Sequence, residues 1–225
     1  MGRLTRIKAI IIPKWWFILL SDFTVFLAYT IGGLFCLAAY GLTVRRKNSV
    51  PSGGCLLVSN HTLFLDPLHV ALAVAPRRCY FAIEEKTMVS LVADIALRLL
   101  RGFPVPEENP GAITGPVGEL LDRGSCVHLF PEGYMDWKNQ QVHDFMNGAF
   151  FMAVKFKVPI VPVTLVGRRT FRHRILPFLP PVVTAVVGKT YHPEEYLEQG
   201  SHKKAIISLS GDIHREIQST IDTFH

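Results

Sequence analysis

The sequence predicts an α/β fold with a largely parallel central sheet. Three observations carry that expectation. Short apolar runs, bounded by turn residues, alternate with longer stretches of helical periodicity. Two polar motifs each follow directly on such a run, and open parallel sheets place their sites at the carboxyl ends of strands. An apolar N-terminal segment is set off from the rest by basic residues. The expected organisation is a membrane-anchoring helical segment over residues 1–47, followed by one α/β sandwich domain over residues 48–225.

The chain has 225 residues, of which 49% are hydrophobic, and a formal net charge of +6. That is room for one domain with a sizeable core plus an appendage. A basic, apolar-rich chain calls for an anionic partner: a membrane surface or a phosphorylated substrate. Nucleic acid is not expected, because no basic tract is interleaved with aromatics in the way that stacks bases. Cys36, Cys55, Cys79 and Cys126 are scattered, with no metal-ligand spacing, and read as buried reduced thiols in a cytoplasm-facing protein.

Residues 15–44 carry one charge, Asp22, and residues 23–42 carry none. Some 20 apolar residues match a bilayer core, and the stretch is too long for a signal-peptide core. Arg3, Arg6, Lys8 and Lys14 precede it and Arg45, Arg46 and Lys47 follow it, so both flanks favour the cytoplasmic side. Thirty helical residues span about 45 Å, too long for one upright crossing and too short for two. A hairpin broken at Ser21-Asp22 or Gly32-Gly33 and dipped into one leaflet satisfies both constraints. A single tilted span and a helix packed on the following domain are the alternatives.

Strands are expected at 54–59, 79–83, 103–105, 126–130, 160–166 and 182–187. Helices are expected from Pro67 onward and at 86–100, 111–123, 145–156 and 206–224. Met88, Leu91, Val92, Ile95 and Leu99 form the apolar face of the second of these.

The first motif is Asn60-His61-Thr62-Leu63-Phe64-Leu65-Asp66-Pro67, at the end of the first of these strands. Asp66 is suited to N-cap the helix that Pro67 begins. A loop of this length lets Asp66 reach one ring nitrogen of His61, leaving the other as a general base. A capping or surface pair explains the same residues, and His69 adds a metal reading. The second motif, Phe130-Pro131-Glu132-Gly133, sets a carboxylate in a sharp turn at another strand end, where Gly133 permits a close backbone approach.

Together these residues resemble the glycerolipid acyltransferase family, the 1-acyl-sn-glycerol-3-phosphate and lysophospholipid acyltransferases. Its Asn-His-four residues-Asp motif matches Asn60, His61 and Asp66, and its Phe-Pro-Glu-Gly motif matches Phe130, Pro131, Glu132 and Gly133. Gly148 fits the family's Phe-x-x-Gly helix segment, and Val158-Pro159-Ile160-Val161-Pro162-Val163 a further block. The resemblance implies a membrane-bound O-acyltransferase of phospholipid biosynthesis with no cofactor or metal. Acyl-CoA or acyl-carrier protein would be the donor and a lysophospholipid, foremost lysophosphatidic acid, the acceptor. His61 would act as base, Asp66 would orient it, and Glu132 would help hold the acceptor. Asn60 and nearby backbone amides are candidate donors to the thioester oxyanion.

Two departures bear on the acceptor. Gly102-Phe103-Pro104-Val105 is followed by Pro106-Glu107-Glu108, where the family carries an arginine for the acceptor phosphate. Tyr134-Met135-Asp136 stand where many members have a small hydroxyl residue and another arginine. Lys86, Arg98 or Arg101 are the candidate substitutes; otherwise the acceptor is a lysophospholipid diester or an aminolipid. The basic stretch of residues 166–176 is either a solvated loop or a contact for anionic lipid or donor phosphates. Different classes remain open: a metal-dependent phosphoesterase built on His61, Asp66 and His69, or a non-catalytic lipid-binding membrane protein.

Overall fold

The computed structural model describes residues 15–87, 90–198 and 200–224. Arg3, Arg6, Lys8, Lys14 and Met88, used above, lie outside them. The chain runs α1 (Trp15–Tyr40), β1 (Thr43–Arg46), β2 (Cys55–Val58), α2 (Asp66–Val74), β3 (Cys79–Glu84) and α3 (Leu91–Leu99). It continues through β4 (Gly102–Val105), α4 (Thr114–Asp122), β5 (Cys126–Leu129), α5 (Gly148–Phe156) and β6 (Ile160–Arg168). It ends with α6 (Arg172–Ile175), β7 (Val182–Val187), α7 (Pro193–Leu197) and α8 (His202–Phe224).

Seven strands make one sheet in the order β1-β7-β6-β2-β5-β3-β4. β6, β2, β5, β3 and β4 are mutually parallel, whereas β7 pairs with β6 in antiparallel fashion. The expected parallel α/β sandwich is therefore present. Central strands β2 and β5 are buried on both faces, so they read as continuous apolar runs and not as alternating ones. One core layer joins Leu56, Val127, Phe150, Ile213 and Ile217; the other joins Leu57, Val70, Val161 and Ala185. Helices thus cover both faces. Cys55, Cys126 and Cys79 are register partners across β2, β5 and β3, and all four cysteines are free and buried.

Two expectations need correction. Thr43–Arg46 is a sheet strand paired in parallel with β7, so the sheet begins before residue 47. All four residues are exposed and two are arginines, which hid the strand from any apolar pattern. The N-terminal helix, moreover, is not a bent hairpin. α1 is one unbroken helix through Ser21-Asp22 and Gly32-Gly33. It packs against the domain from Ser21 to Ala39. Ser21 Oγ donates to Leu99 O at 2.8 Å, and Asp22 accepts from Arg78 at 2.8 Å and from Arg101. Gly32 and Gly33 sit against Leu68 and Leu72 of α2, where a side chain on Gly32 would collide with Leu68. Arg172 Nη2 donates to Ala39 O at 2.8 Å at the far end. The outward face still exposes Leu19, Phe23, Phe26, Ile31, Leu34 and Leu37.

Candidate active site

The site is built from the register of two adjacent strands. Val58 of β2 pairs with Leu129 of β5. His61 and Glu132 each lie three residues beyond these partners, so both loops leave the sheet side by side. His61 N donates to Glu132 Oε1 at 3.2 Å, closing the two loops together.

Asn60 explains how the first loop is held. β6 continues past β2: Pro162 pairs with Val58, but β6 runs on to Arg168. The Asn60 side chain supplies the next rung of the ladder. Its Nδ2 donates to Leu165 O and its Oδ1 accepts from Leu165 N, both at 2.8 Å. Asn60 is 2% exposed. It anchors the loop and is not the substrate contact expected from sequence.

Asp66 is the first residue of α2 and not its cap; the carboxylate turns back into the loop. Its Oδ2 accepts from Thr62 N at 2.6 Å, Leu63 N at 2.7 Å and His61 Nδ1 at 3.1 Å. An ionised carboxylate only accepts, so Nδ1 carries the proton and the Nε2 lone pair is free. Complete burial would raise the Asp66 carboxyl, but the bonds from His61 and from the Leu63 and Thr62 amides, with His69 close by, outweigh it and hold it below the usual range. The Phe130 ring stacks on His61 at 3.7 Å between centroids, fixing the imidazole plane. His128 is fully buried behind it, with Nε2 2.9 Å from Ser59 Oγ. Burial, and then the neighbouring His61, push its pKa down to about 3, so it stays neutral as expected of a core histidine.

These bonds already engage Asn60 and the amides of His61, Thr62 and Leu63, the expected oxyanion donors. The His61 amide goes to Glu132, the Thr62 and Leu63 amides go to Asp66, and Asn60 is tied to β6. Glu132 is 6% exposed, and its second oxygen accepts from His143 N at 3.1 Å. It brackets two loops from inside. Burial raises its pKa, against the lowering effect of those two amides. Pro131 O accepts from Met146 N at 2.8 Å, and Gly133 has φ +77°, where a side chain would also press on the Met146 methyl.

The substitute cations are corrected too. Arg101 lies just before β4, at the amino end of the parallel strands and opposite to His61, and is 9% exposed on Asp22. Arg98 pairs with Asp94 at 2.7 Å, also ahead of β4. Lys86 follows β3 on the correct edge, but is exposed and paired with Glu107 at 2.7 Å and Glu84 at 3.5 Å.

Sequence reasoning missed Asp136 and His143. Asp136 N donates to His61 O at 3.0 Å, and Asp136 Oδ2 lies 2.8 Å from His143 Nε2. The seven-residue gap crosses an irregular loop, so periodicity carried no signal for this pair.

The family model described as Acyltransferase matches residues 41–166, more than half of the chain. The chain belongs to the acyltransferase family. A Streptococcus pneumoniae 1-acyl-sn-glycerol-3-phosphate acyltransferase is 29% identical over 119 residues, covering 52% of this chain and 43% of that one. The human enzyme of that name, alpha form, is 30% identical over 59% of this chain and 48% of its own. A Bacillus subtilis relative is 22% identical over 79% of this acyltransferase and 87% of its own length. The match thus spans less than half of the first two relatives. The crystal structure of the LPA acyltransferase PlsC from Thermotoga maritima superposes with a TM-score of 0.61 at 17% identity, covering 92% of this chain and 95% of that one, and shows the same fold.

Proposed function

We infer that this acyltransferase moves a fatty acyl group from an acyl thioester, acyl-CoA or acyl-carrier protein, to the free hydroxyl of lysophosphatidic acid, giving phosphatidic acid. The observation that carries the reading is the His61–Asp66 pair at the carboxyl end of β2, with no hydrogen bond to Nε2 among the described residues. His61 Nε2 takes the hydroxyl proton as the oxygen attacks the thioester carbonyl. Asp66 holds the tautomer and stabilises the imidazolium. Thiolate leaves and takes the proton, so no acyl-enzyme forms. General-base action of this kind contributes about 10²–10⁴-fold in rate. Relatives named as 1-acyl-sn-glycerol-3-phosphate acyltransferases support the acceptor.

A second acceptor reading has its own support. Residues 103–108 and 134–136 hold no arginine, and Lys86 is engaged by two carboxylates. An acceptor with a diester or amine head group needs less positive charge. The test is the purified protein in detergent with each donor and a panel of lyso-acceptors, beside His61→Ala. Product with lysophosphatidic acid, absent in the variant, supports the first reading. Product only with a diester or aminolipid supports the second. No product from any pair sinks both.

The protein acts at a membrane surface, on the cytoplasmic face that its basic flanks favour. The domain flanks α1 from Ser21 to Ala39, roughly 27 Å of helix. An upright α1 would draw that flank into a hydrocarbon core of about 30 Å. An in-plane α1, with its outer face toward acyl chains, avoids this. Exposed Phe171, Ile175 and Phe178 alternate with Arg169 and Arg174 beyond the carboxyl end of β6, the sheet edge that carries His61.

A further inference from the structure

Asp66 lies between two histidines, and the chemistry above uses one of them. Oδ2 is saturated by three donors. Oδ1 is equally buried and has no hydrogen-bond partner among the described residues. The polar atom facing it is His69 Nδ1, at 3.5 Å. His69 is 0% exposed, and neither of its ring nitrogens makes a hydrogen bond among the described residues. It stands three residues along α2 from Asp66, on the same helix face. The Tyr40 ring, at the end of α1, closes its other side edge-on at 5.0 Å.

A buried carboxylate oxygen without a donor is costly, and so is a buried imidazole nitrogen without a partner. One contraction of a few tenths of an ångström turns this contact into a hydrogen bond and relieves both. The donor must be Nδ1–H, because an ionised carboxylate only accepts. We propose that His69 is a positioning residue for the acyl transfer. Its Nδ1–H holds Oδ1 of Asp66, so that Oδ2 keeps facing His61 while the imidazolium forms. It acts through Asp66 and touches no substrate. With Oδ1 released, the carboxylate is free to turn about its terminal torsion, which is broad for such groups. The inference rests on His61 acting as the base.

The test compares wild type with His69→Phe, His69→Asn, His69→Gln and His61→Ala in the lyso-acceptor assay. Thermal unfolding and circular dichroism confirm that each is folded. His69→Phe keeps the ring against Tyr40 and removes both nitrogens. It should lower kcat by about 10²-fold, the order expected of a misplaced catalytic group, with KM unchanged. His69→Asn puts an amide nitrogen near the Nδ1 position and should recover most of kcat. His69→Gln, with its amide near Nε2, should not. The Asn–Gln contrast carries the test if the Phe variant does not fold. Wild-type kcat in a folded His69→Phe, or equal kcat in Asn and Gln, overturns the proposal. Full activity in His61→Ala would instead overturn the base assignment beneath it.

Discussion

At Asp66, three donors on one oxygen keep a fully buried carboxylate ionised. Asp66→Asn places an amide where Nδ1–H needs an acceptor and favours the wrong imidazole tautomer. The expected loss is about 10⁴-fold in kcat with KM little changed, read by steady-state kinetics. His128 contributes to the dependence of stability on pH. Unfolded, it takes up a proton below about pH 6.5; folded, only near pH 3. Its stabilisation is whole above about 6.5 and is lost as pH falls toward 3. Between pH 7.5 and 5 the loss is about 2 kcal/mol, measurable by denaturant unfolding. His128→Phe should flatten that slope; an unchanged slope would refute the assignment. Asp66, with its depressed pKa, adds a further loss only below the ordinary carboxylate range. Glu132, with its raised pKa, works in the opposite sense and regains some stability on protonation.

At the scale of elements, the catalytic loop is an interrupted ladder. β2 stops while β6 continues, and Asn60 satisfies the backbone of Leu165 that would otherwise be orphaned. Asn60→Ala removes two buried hydrogen bonds and should destabilise by roughly 2–3 kcal/mol, lowering activity through loop disorder. Unfolding at neutral pH measures the first and kcat the second. Wild-type stability would show that the amide is dispensable. The α2 start, the strand ends and the Gly133 turn were legible because Pro, Gly and apolar runs mark them locally. β1 was not, since an exposed edge strand has no buried side to pattern.

Over the whole molecule, α1 and the domain are one packed unit. Asp22 receives both Arg78 and Arg101, and Arg101 is 9% exposed. Asp22→Asn leaves a largely buried guanidinium short of a counter-charge. The thermal midpoint should fall by about 2–4 °C for each kcal/mol lost. An unchanged midpoint would mean that the helix is held by Gly32, Gly33 and apolar packing alone. The exposed Phe171 and Phe178 predict a separate outcome. Their joint replacement by Ser should reduce flotation with vesicles containing anionic lipid and leave the thermal midpoint unchanged. Equal flotation would assign membrane contact to α1.

By itself, the sequence determined the alternation of strands and helices, the apolar segment near the N-terminus, and the His61–Asp66 pairing. All of these are written in spacings of a few residues, where backbone geometry leaves little choice. Tertiary structure decided the partners that lie far apart in the chain. Asn60 meets Leu165, Glu132 meets His61 and His143, Arg101 turns to Asp22 instead of the site, and Cys55, Cys126 and Cys79 line up across three strands. Strand order and register bring these together, and no local pattern encodes which strand lies beside which.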